Sequence, residues 1–421
     1  MANNSVSQYS IKLTAGGKDL SKQMDGLRIL ISKDRPLQII SIDINLSREQ
    51  YNTYLVPYKD NLKLEISSSK GIKSDDEPPD VDATFSYDLC MLEEDGEQSQ
   101  QAGADGGSSS GKITLTCVSK DQFKNHQKFI KNKIFLYKTR KEMIDIIMSG
   151  AKYELQSTIY KESEVIKQTV LPPLRQSAAI KHLDYYVNLF EGALPTYINY
   201  CIDGKIYIGS CITNNMKPLK IFYASDNDAL SKASNIASKK SSAYDYLIVQ
   251  AIQESKAYAT ICAALGKTQT YQFSPMNKLV SKLEMKLNEF SQKIGLSTAF
   301  GDDPKIGEHI KKINTKETWF KTHNGLSNVE NEKDNLMFAE NYVSQVANQA
   351  ITLSMKVDGA IKFKDFIMVG RKINLTAQLN AIKYNGDYFL DAAELSFSSA
   401  GPYWTGHARI SAKSSIKLSN T

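Results

Sequence analysis

A chain of 421 residues with 41% hydrophobic and 9% aromatic content is long enough for two to four domains and has the composition of a folded protein. The net charge is +6, the five cysteines form no C-x-x-C pair, and no apolar run approaches the ~18 residues of a membrane helix. These features weigh against a disulfide framework, a cysteine-based zinc module and a helical membrane protein, and favour synthesis in a reducing place.

The N-terminal MANNSVSQYSIKL has neither the basic start nor the apolar core of a signal peptide. Charge is unevenly spread: residues 71–111 hold eleven acids against one base, Lys73, so the rest of the chain is strongly basic. The 22 tyrosines, against 15 phenylalanines and 2 tryptophans, lean toward half-buried strands and contact surfaces. A tyrosine ring is apolar while its hydroxyl can stay wet.

In chain order, Ile40, Ile42 and Ile44 alternate, as do Leu62, Leu64 and Ile66, with turn chemistry at Gly16-Gly17 and Lys59-Asp60-Asn61. This predicts half-buried antiparallel strands over the first seventy residues, as in a barrel or sandwich. The prolines of DDEPPD (75–80) keep that stretch out of a central strand, and a short strand is predicted over 84–92. Residues 93–111 hold no apolar side chain larger than alanine, so burial cannot offset the entropy of ordering them and a flexible loop is expected. Ile113, Leu115 and Cys117 alternate next, which makes a hairpin with an overgrown tip.

Within that tip, GADGGSSSGKI (103–113) places Gly106, Gly111 and Lys112 at the spacing of a phosphate-cradling loop. Leu265-Gly266-Lys267-Thr268 repeats the tail of the motif. Such a loop must leave a buried strand and enter a helix, so that backbone N–H groups meet the phosphates. Here the run enters a strand, and Ile113 stands where a Mg²⁺-holding hydroxyl is needed. In the second copy Ile261 replaces the required earlier glycine. Both read as turns.

Residues 112–141 carry nine Lys/Arg and one acid, Asp121. Lys120, Lys124, Lys128 and Lys131 are spaced for one helical face, with Phe123, Phe129, Phe135 and Tyr137 interleaved. Two readings follow. The stretch can grip single-stranded nucleic acid by phosphate contact and stacking, or it is an amphipathic helix with solvated lysines and inward aromatics. No helix-turn-helix or RNP-type signature accompanies it.

Thr139-Arg140-Lys141-Glu142 is a capping box for a helix with Ile144, Ile147 and Met148 on one face and Gly150 at its end. A second helix begins near Ser177, carries Ile180, Leu183, Val187 and Phe190, and stops at Gly192. A hairpin follows, 197–202 to 205–208, turning at Asp203-Gly204. Residues 225–243 read as a polar loop or weak helix, then strands at 245–252 and 258–262.

A third helix is predicted from Ser274-Pro275, with Met276, Leu279, Val280, Leu283, Leu287, Phe290 and Ile294 on one face before Gly295, and a fourth over 334–350. The end returns to strands: Ile351, Leu353 and Met355 alternate, Gly370 marks a turn, and Ile373, Leu375 and Ala377 alternate again. Asn385-Gly386 joins strands at 377–384 and 388–397, and a last strand spans 405–412.

No residues form a chemical constellation. His126, His182, His309, His323 and His407 are scattered without metal-ligand spacing, and G-x-S-x-G does not occur. Asp302-Asp303 reads as a turn and Glu162 with Glu164 as a solvated edge. No catalytic, cofactor-binding or metal-ligating residue is assigned, and the expectation is a protein that is not an enzyme and carries no cofactor.

With catalysis set aside, the order of elements carries the reading. FLYKTRKEMIDIIMSGA (135–151) makes a strand, short turn, helix step. LPPLRQSAAIKHLDYYVNLFEGALPTYINYCIDGKIYIGS (171–210) is a helix followed by a hairpin. ITLSMKVDGAIKFKDFIMVGRKINL (351–375) with YNGDYFLDAAELSF (384–397) is a strand-rich close. This order resembles the central hub proteins of phage tail baseplates, a family that includes the hub of contractile-tailed phages and the first part of type VI secretion spike proteins.

The resemblance implies an α+β, β-rich fold with two tube-type antiparallel β-barrels and α/β insertions, forming a pseudo-sixfold ring as a homotrimer. It divides the chain into a first barrel at 5–138 with a flexible acidic excursion at 71–112, a middle α/β domain at 139–220, connecting strands and helix at 221–330, and a second barrel at 331–415. The implied function is a structural virion protein of the tail baseplate, made in the host cytoplasm. It adapts a sixfold tail tube to a threefold spike and provides the end of the tail channel. The implied partners are itself, the tail spike, tube or tube-initiator proteins and the tape-measure protein, with DNA only as transient cargo and no membrane insertion. The alternatives are another tube-like component, such as a tube initiator or distal tail protein, and a basic nucleic-acid-binding protein using 120–140.

Overall fold

The computed structural model describes residues 8–35, 37–69, 81–97, 110–191, 196–200, 204–224, 244–248, 250–256, 268–274, 279–285, 351–357, 361–377, 384–400 and 403–414. The N-terminal strands are β1 (Gln8–Ala15), β2 (Lys18–Asp19), β3 (Met24–Ser32), β4 (Ile39–Ser47), β5 (Leu62–Ser69), β6 (Val81–Glu97) and β7 (Ser110–Ser119). Their sequence alternation becomes alternation of burial. In β4, Ile40, Ile42, Ile44 and Leu46 are buried, while Ser41, Asp43 and Asn45 between them face outward and are half-buried. Between β4 and β5, α1 (Arg48–Gln50) starts on a capping box: Ser47 Oγ accepts from the Gln50 backbone N–H, and the Gln50 side chain accepts from that of Ser47.

A middle unit follows with α2 (Lys120–Gln127), β8 (Phe129–Ile130), β9 (Lys133–Thr139), α3 (Arg140–Ile147), β10 (Tyr153–Leu155), β11 (Val165–Leu171), β12 (Leu174–Arg175), α4 (Gln176–Val187), β13 (Thr196–Tyr200) and β14 (Ile206–Ser210). The Thr139 box caps α3 in both directions, as its spacing predicts. The second predicted helix is α4, which ends earlier than Gly192 because Asn188 takes a left-handed φ of 49°. The unit has its own core, with Phe135, Met143, Ile144, Ile147, Leu171, Ile180, Leu183, Phe190, Ile198 and Ile208 at its centre.

The remaining elements are β15 (Leu219–Tyr223), β16 (Tyr246–Ile248), β17 (Gln253–Lys256), β18 (Thr268–Ser274), β19 (Leu279–Met285), β20 (Ile351–Val357), α5 (Phe363–Phe366), β21 (Lys372–Ala377), β22 (Gly386–Ala400) and β23 (Tyr403–Ser414). The architecture is β-rich and dominated by one 14-stranded sheet. Its pairings run β22–β3–β4–β7–β6–β5–β1–β23, and β23 pairs back to β22, so these eight strands make a closed circuit.

A second group shares β22 and β23. On one side β22 continues to β21, β15 and β16; on the other β23 continues to β20 and β17, with β16 lying beside β20. The division is visible along β22. Gly386–Phe389 pair with β21, a bulge falls between Leu390 and Ala392, and 392–398 pair with β3. A bulge bends a strand and raises its local twist, which lets one strand serve two curved surfaces. One large apolar core underlies both groups. In it Tyr9 meets Phe397 edge-on at 5.0 Å, and a Cβ on Gly406 would lie 2.8 Å from the Tyr9 ring. Only glycine fits there.

Several expectations are corrected. The strand predicted over 84–92 is the 17-residue β6, whose acidic end, 93–97, does not begin a loop but stays paired to β7; the rest of the expected loop, 98–109, lies outside the described residues. Backbone pairing to β7, whose Ile113 and Leu115 alternate with polar residues, overrides the composition there. The helix predicted from Ser274 is instead the antiparallel hairpin β18–β19, with Ser274 opposite Leu279 and Thr268 opposite Met285. Leu279 and Leu283 satisfy both a helical and a strand period, and the preceding Thr-Gln-Thr-Tyr-Gln-Phe supplies a strand partner. The strand predicted over 245–252 is shorter, as β16, and β17 starts at Gln253. The predicted helix at 334–350, the strand at 258–262 and the stretches 75–80 and 225–243 lie outside the described residues.

Candidate assembly surfaces

The motifs with chemical potential land in ordinary sheet. Gly111 and Lys112 belong to β7, opposite Leu46 and Asn45 of β4, so their backbone is committed to the ladder. Ser110 already begins the strand; 103–109 and Lys267 lie outside the described residues. The lysine series is broken as well. Helix α2 stops at Gln127, Lys128 Nζ donates to the Gly150 carbonyl at 3.0 Å, and Lys131 lies beyond β8. Four lysines on one helical face are therefore two on a helix and two after it.

Among the described histidines, His126 sits 2.6 Å from the Arg175 guanidinium, His182 packs tilted against Tyr186 with centroids 4.6 Å apart, and His407 is exposed on β23. Burial and then the Arg175 charge push the His126 pKa down. Among the described residues no three His, Cys, Asp or Glu side chains gather as a cation site, and no helix is long and apolar enough to cross a membrane. Burial pushes the Cys117 and Cys211 thiols up to about 12, which leaves them poor nucleophiles.

The buried charges that do exist hold structure. Arg140 Nε donates to the carbonyls of Val187 and Asn188 at 2.9 Å each, closing the C-terminus of α4, and its Nη1 reaches Glu164 Oε2 at 2.8 Å. Asp184 Oδ1 accepts from the Leu189 backbone N–H at 2.6 Å. Burial nevertheless raises its pKa to about 7, against the opposing pull of those N–H groups and of Arg140.

The middle unit is fastened to the large sheet by side chains that imitate backbone. Asn199 Nδ2 donates to the Val369 carbonyl at 3.0 Å, while its Oδ1 accepts from the Val369 N–H at 3.2 Å. Asn214 Nδ2 donates to the Gly370 carbonyl at 2.8 Å. Gly370 has φ +82°, and a Cβ there would fall 2.1 Å from the Tyr197 ring. A second fastening joins α4 to β3, where Lys181 Nζ donates to the Lys33 carbonyl at 2.8 Å. These contacts fix where the middle unit points its surfaces.

One of those surfaces is apolar. Strands β9 and β11 form a two-stranded antiparallel ribbon in which Ile134 faces Val170 and Leu136 faces Gln168. Its inner face carries Phe135, Thr169 and Leu171 and is buried. On the outer face Ile134 is 63% and Leu136 54% exposed. Five of the nine exposed large apolar side chains among the described residues fall between 129 and 165: Phe129, Ile134, Leu136, Tyr137 and Val165. Isolated exposed apolar residues need no explanation, whereas a cluster marks a contact surface. The alternation of this ribbon did not separate its inner from its outer face in the sequence, because both faces are apolar.

The fold has counterparts among solved structures. A tail protein from Neisseria meningitidis MC58 matches with a TM-score of 0.59 at 11% identity, over 96% of this chain and 96% of that one. The 43 kDa tail protein of prophage MuSo2 from Shewanella oneidensis matches with a TM-score of 0.57 at 11% identity, over 97% of this chain and 100% of its own. No family model and no curated protein matches the chain. At such identity the likeness is one of fold. The chain has a tail-protein fold, in agreement with the resemblance carried by 135–151, 171–210 and 351–397.

Proposed function

We propose that this chain is a structural tail protein of a virion and serves as a baseplate hub. Each copy supplies two tube-type β-barrels, so that three copies form a pseudo-sixfold ring between a sixfold tail tube and a threefold spike. The observation that carries this reading is the strand sharing: an eight-strand closed circuit and a second strand group have β22 and β23 in common. Two curved sheets locked edge to edge keep a fixed angle, which is what a ring needs from each segment.

The reading also assigns the chain's regions. The first barrel takes β1 to β7, completed by β22 and β23; the middle α/β domain takes α2 to β14; and the second barrel is built from β15, β16, β17, β20 and β21 on the shared β22 and β23. The work done is symmetry matching and lining the end of the tail channel, without bond chemistry. Its partners would be two further copies, the spike, tube or tube-initiator proteins and the tape-measure protein, with DNA as passing cargo.

Electron microscopy of the purified chain, alone and with its spike, tests the reading. A threefold ring of six lobes is the expected result. A true sixfold ring would assign the chain to the tube-initiator or distal-tail position, and a monomer under both conditions would sink the hub.

A further inference from the structure

Resting on the homotrimer reading, we infer that the β9–β11 ribbon of one copy docks on the outer face of the β4–β7–β6 sheet of the next. The ribbon offers Ile134 and Leu136 on its outer face, and at its end stand the exposed Lys131 and Lys133, the latter opposite Leu171 on the other row; neither has an acidic partner within ion-pair distance among the described residues. The nearby Lys138 and Lys161 are already occupied by Glu142 at 2.9 Å and Glu164 at 3.8 Å. The surface is therefore apolar at its centre and basic at one end.

The complementary surface lies on the same chain. Asp95 of β6 is opposite Thr114 of β7, and Thr114 is opposite Asp43 of β4, which places the three on one outward row. Thr114 Oγ1 donates to Asp43 Oδ1 at 2.8 Å, and Glu93 stands two positions before Asp95 on the same face. Among the described residues, Arg28 is the one cation within ion-pair distance of the row, 3.9 Å from Asp43. At the β6 bulge Leu92 is 50% exposed, giving the acidic row an apolar contact of its own. A basic apolar patch and an acidic one at different places on one chain make a head-to-tail contact, which closes into a ring when the rotation between copies allows it.

Sedimentation velocity on the full chain, from sub-micromolar to tens of micromolar, tests this with three double variants. Ile134→Glu with Leu136→Glu removes the apolar centre, Lys131→Glu with Lys133→Glu reverses the basic end, and Glu93→Lys with Asp95→Lys reverses the acidic row. Each is expected to weaken association by on the order of 30-fold or more, while the far-UV circular dichroism spectrum stays as in the parent. Placing both charge reversals in one chain should restore association, and the parent's association should weaken as salt rises. A trimer untouched by the apolar variant overturns the docking and leaves the hub reading standing. An apolar variant that dissociates without rescue by the charge swap overturns the acidic face as the occupant. A parent chain that is monomeric throughout overturns both.

Discussion

The large sheet and the middle unit hide their apolar surface to different degrees. In the closed circuit most outward positions are polar, such as Ser41, Asp43 and Asn45 on β4 and Thr114 and Thr116 on β7, with Leu30 and Leu92 the exposed large apolar side chains among its described strands. The buried faces of its strands turn onto one core. In the middle unit the two-stranded ribbon has apolar residues on both faces; Phe135, Thr169 and Leu171 are buried by the unit itself and Ile166 is partly covered, while Ile134 and Leu136 stay exposed. A two-stranded ribbon has too little surface to bury both sides. The contrast separates residues that fold the chain from residues that join it to something else.

The largest effect should come from emptying the main core. Phe366 is fully buried and packs on Tyr246 with centroids 5.1 Å apart. Phe366→Ala is expected to cost about 3–5 kcal/mol in urea denaturation. Next is the fastening between the two regions: Gly370→Ala places a Cβ against the Tyr197 ring at a left-handed backbone position, and should cost about 2–3 kcal/mol. Accelerated proteolysis confined to the middle unit would show that it undocks before the sheet opens.

A pH series sharpens the comparison within the middle unit. Asp184 is raised to about 7 in the folded chain against about 4 when unfolded. Between those values the folded state holds a proton that the unfolded state has released. The stabilisation from that proton is therefore complete below about pH 4 and is lost as pH rises through 7. Asp184→Asn should flatten the fall in denaturation midpoint between pH 5 and 7; an unchanged slope would assign it to another group. The smallest effect belongs to the ribbon's outer face. In the dissociated chain, Ile134→Ser should change stability by less than about 0.5 kcal/mol, because within its own chain that side chain is largely exposed. A cost above 2 kcal/mol would mean that the ribbon packs on its own chain.

Much of the sheet could be read from alternation, because Ile40, Ile42 and Ile44 or Leu353 and Met355 have one buried face each and a period of two. The Thr139 box was legible for a similar reason: a cap is a local arrangement of four residues. Three features lay beyond such reading. Pairing of β22 with β3 joins residues far apart in sequence, and no local pattern encodes a partner. At β18–β19 the spacing of Leu279 and Leu283 fits both periods, and the pairing decides. At Lys128 the chain leaves the helix and Phe129–Ile130 pair with Leu174–Arg175, which splits a lysine series that looked continuous. The ribbon was hidden because an apolar residue reads as core until its cover is found missing.

The pairing of Gln8 with Thr405 and of β3 with β22 also governs when the molecule can fold. A ribosome makes β1 through β7 long before it makes the two strands that complete their circuit. Until residues 386–414 emerge, the early strands keep two open edges, the state most prone to wrong partners. Such long loop closures are slow to form. A nascent chain halted before β22 should therefore be protease-sensitive throughout its first hundred residues. Emergence of β22 and β23 would be the event that makes a subunit fit to assemble.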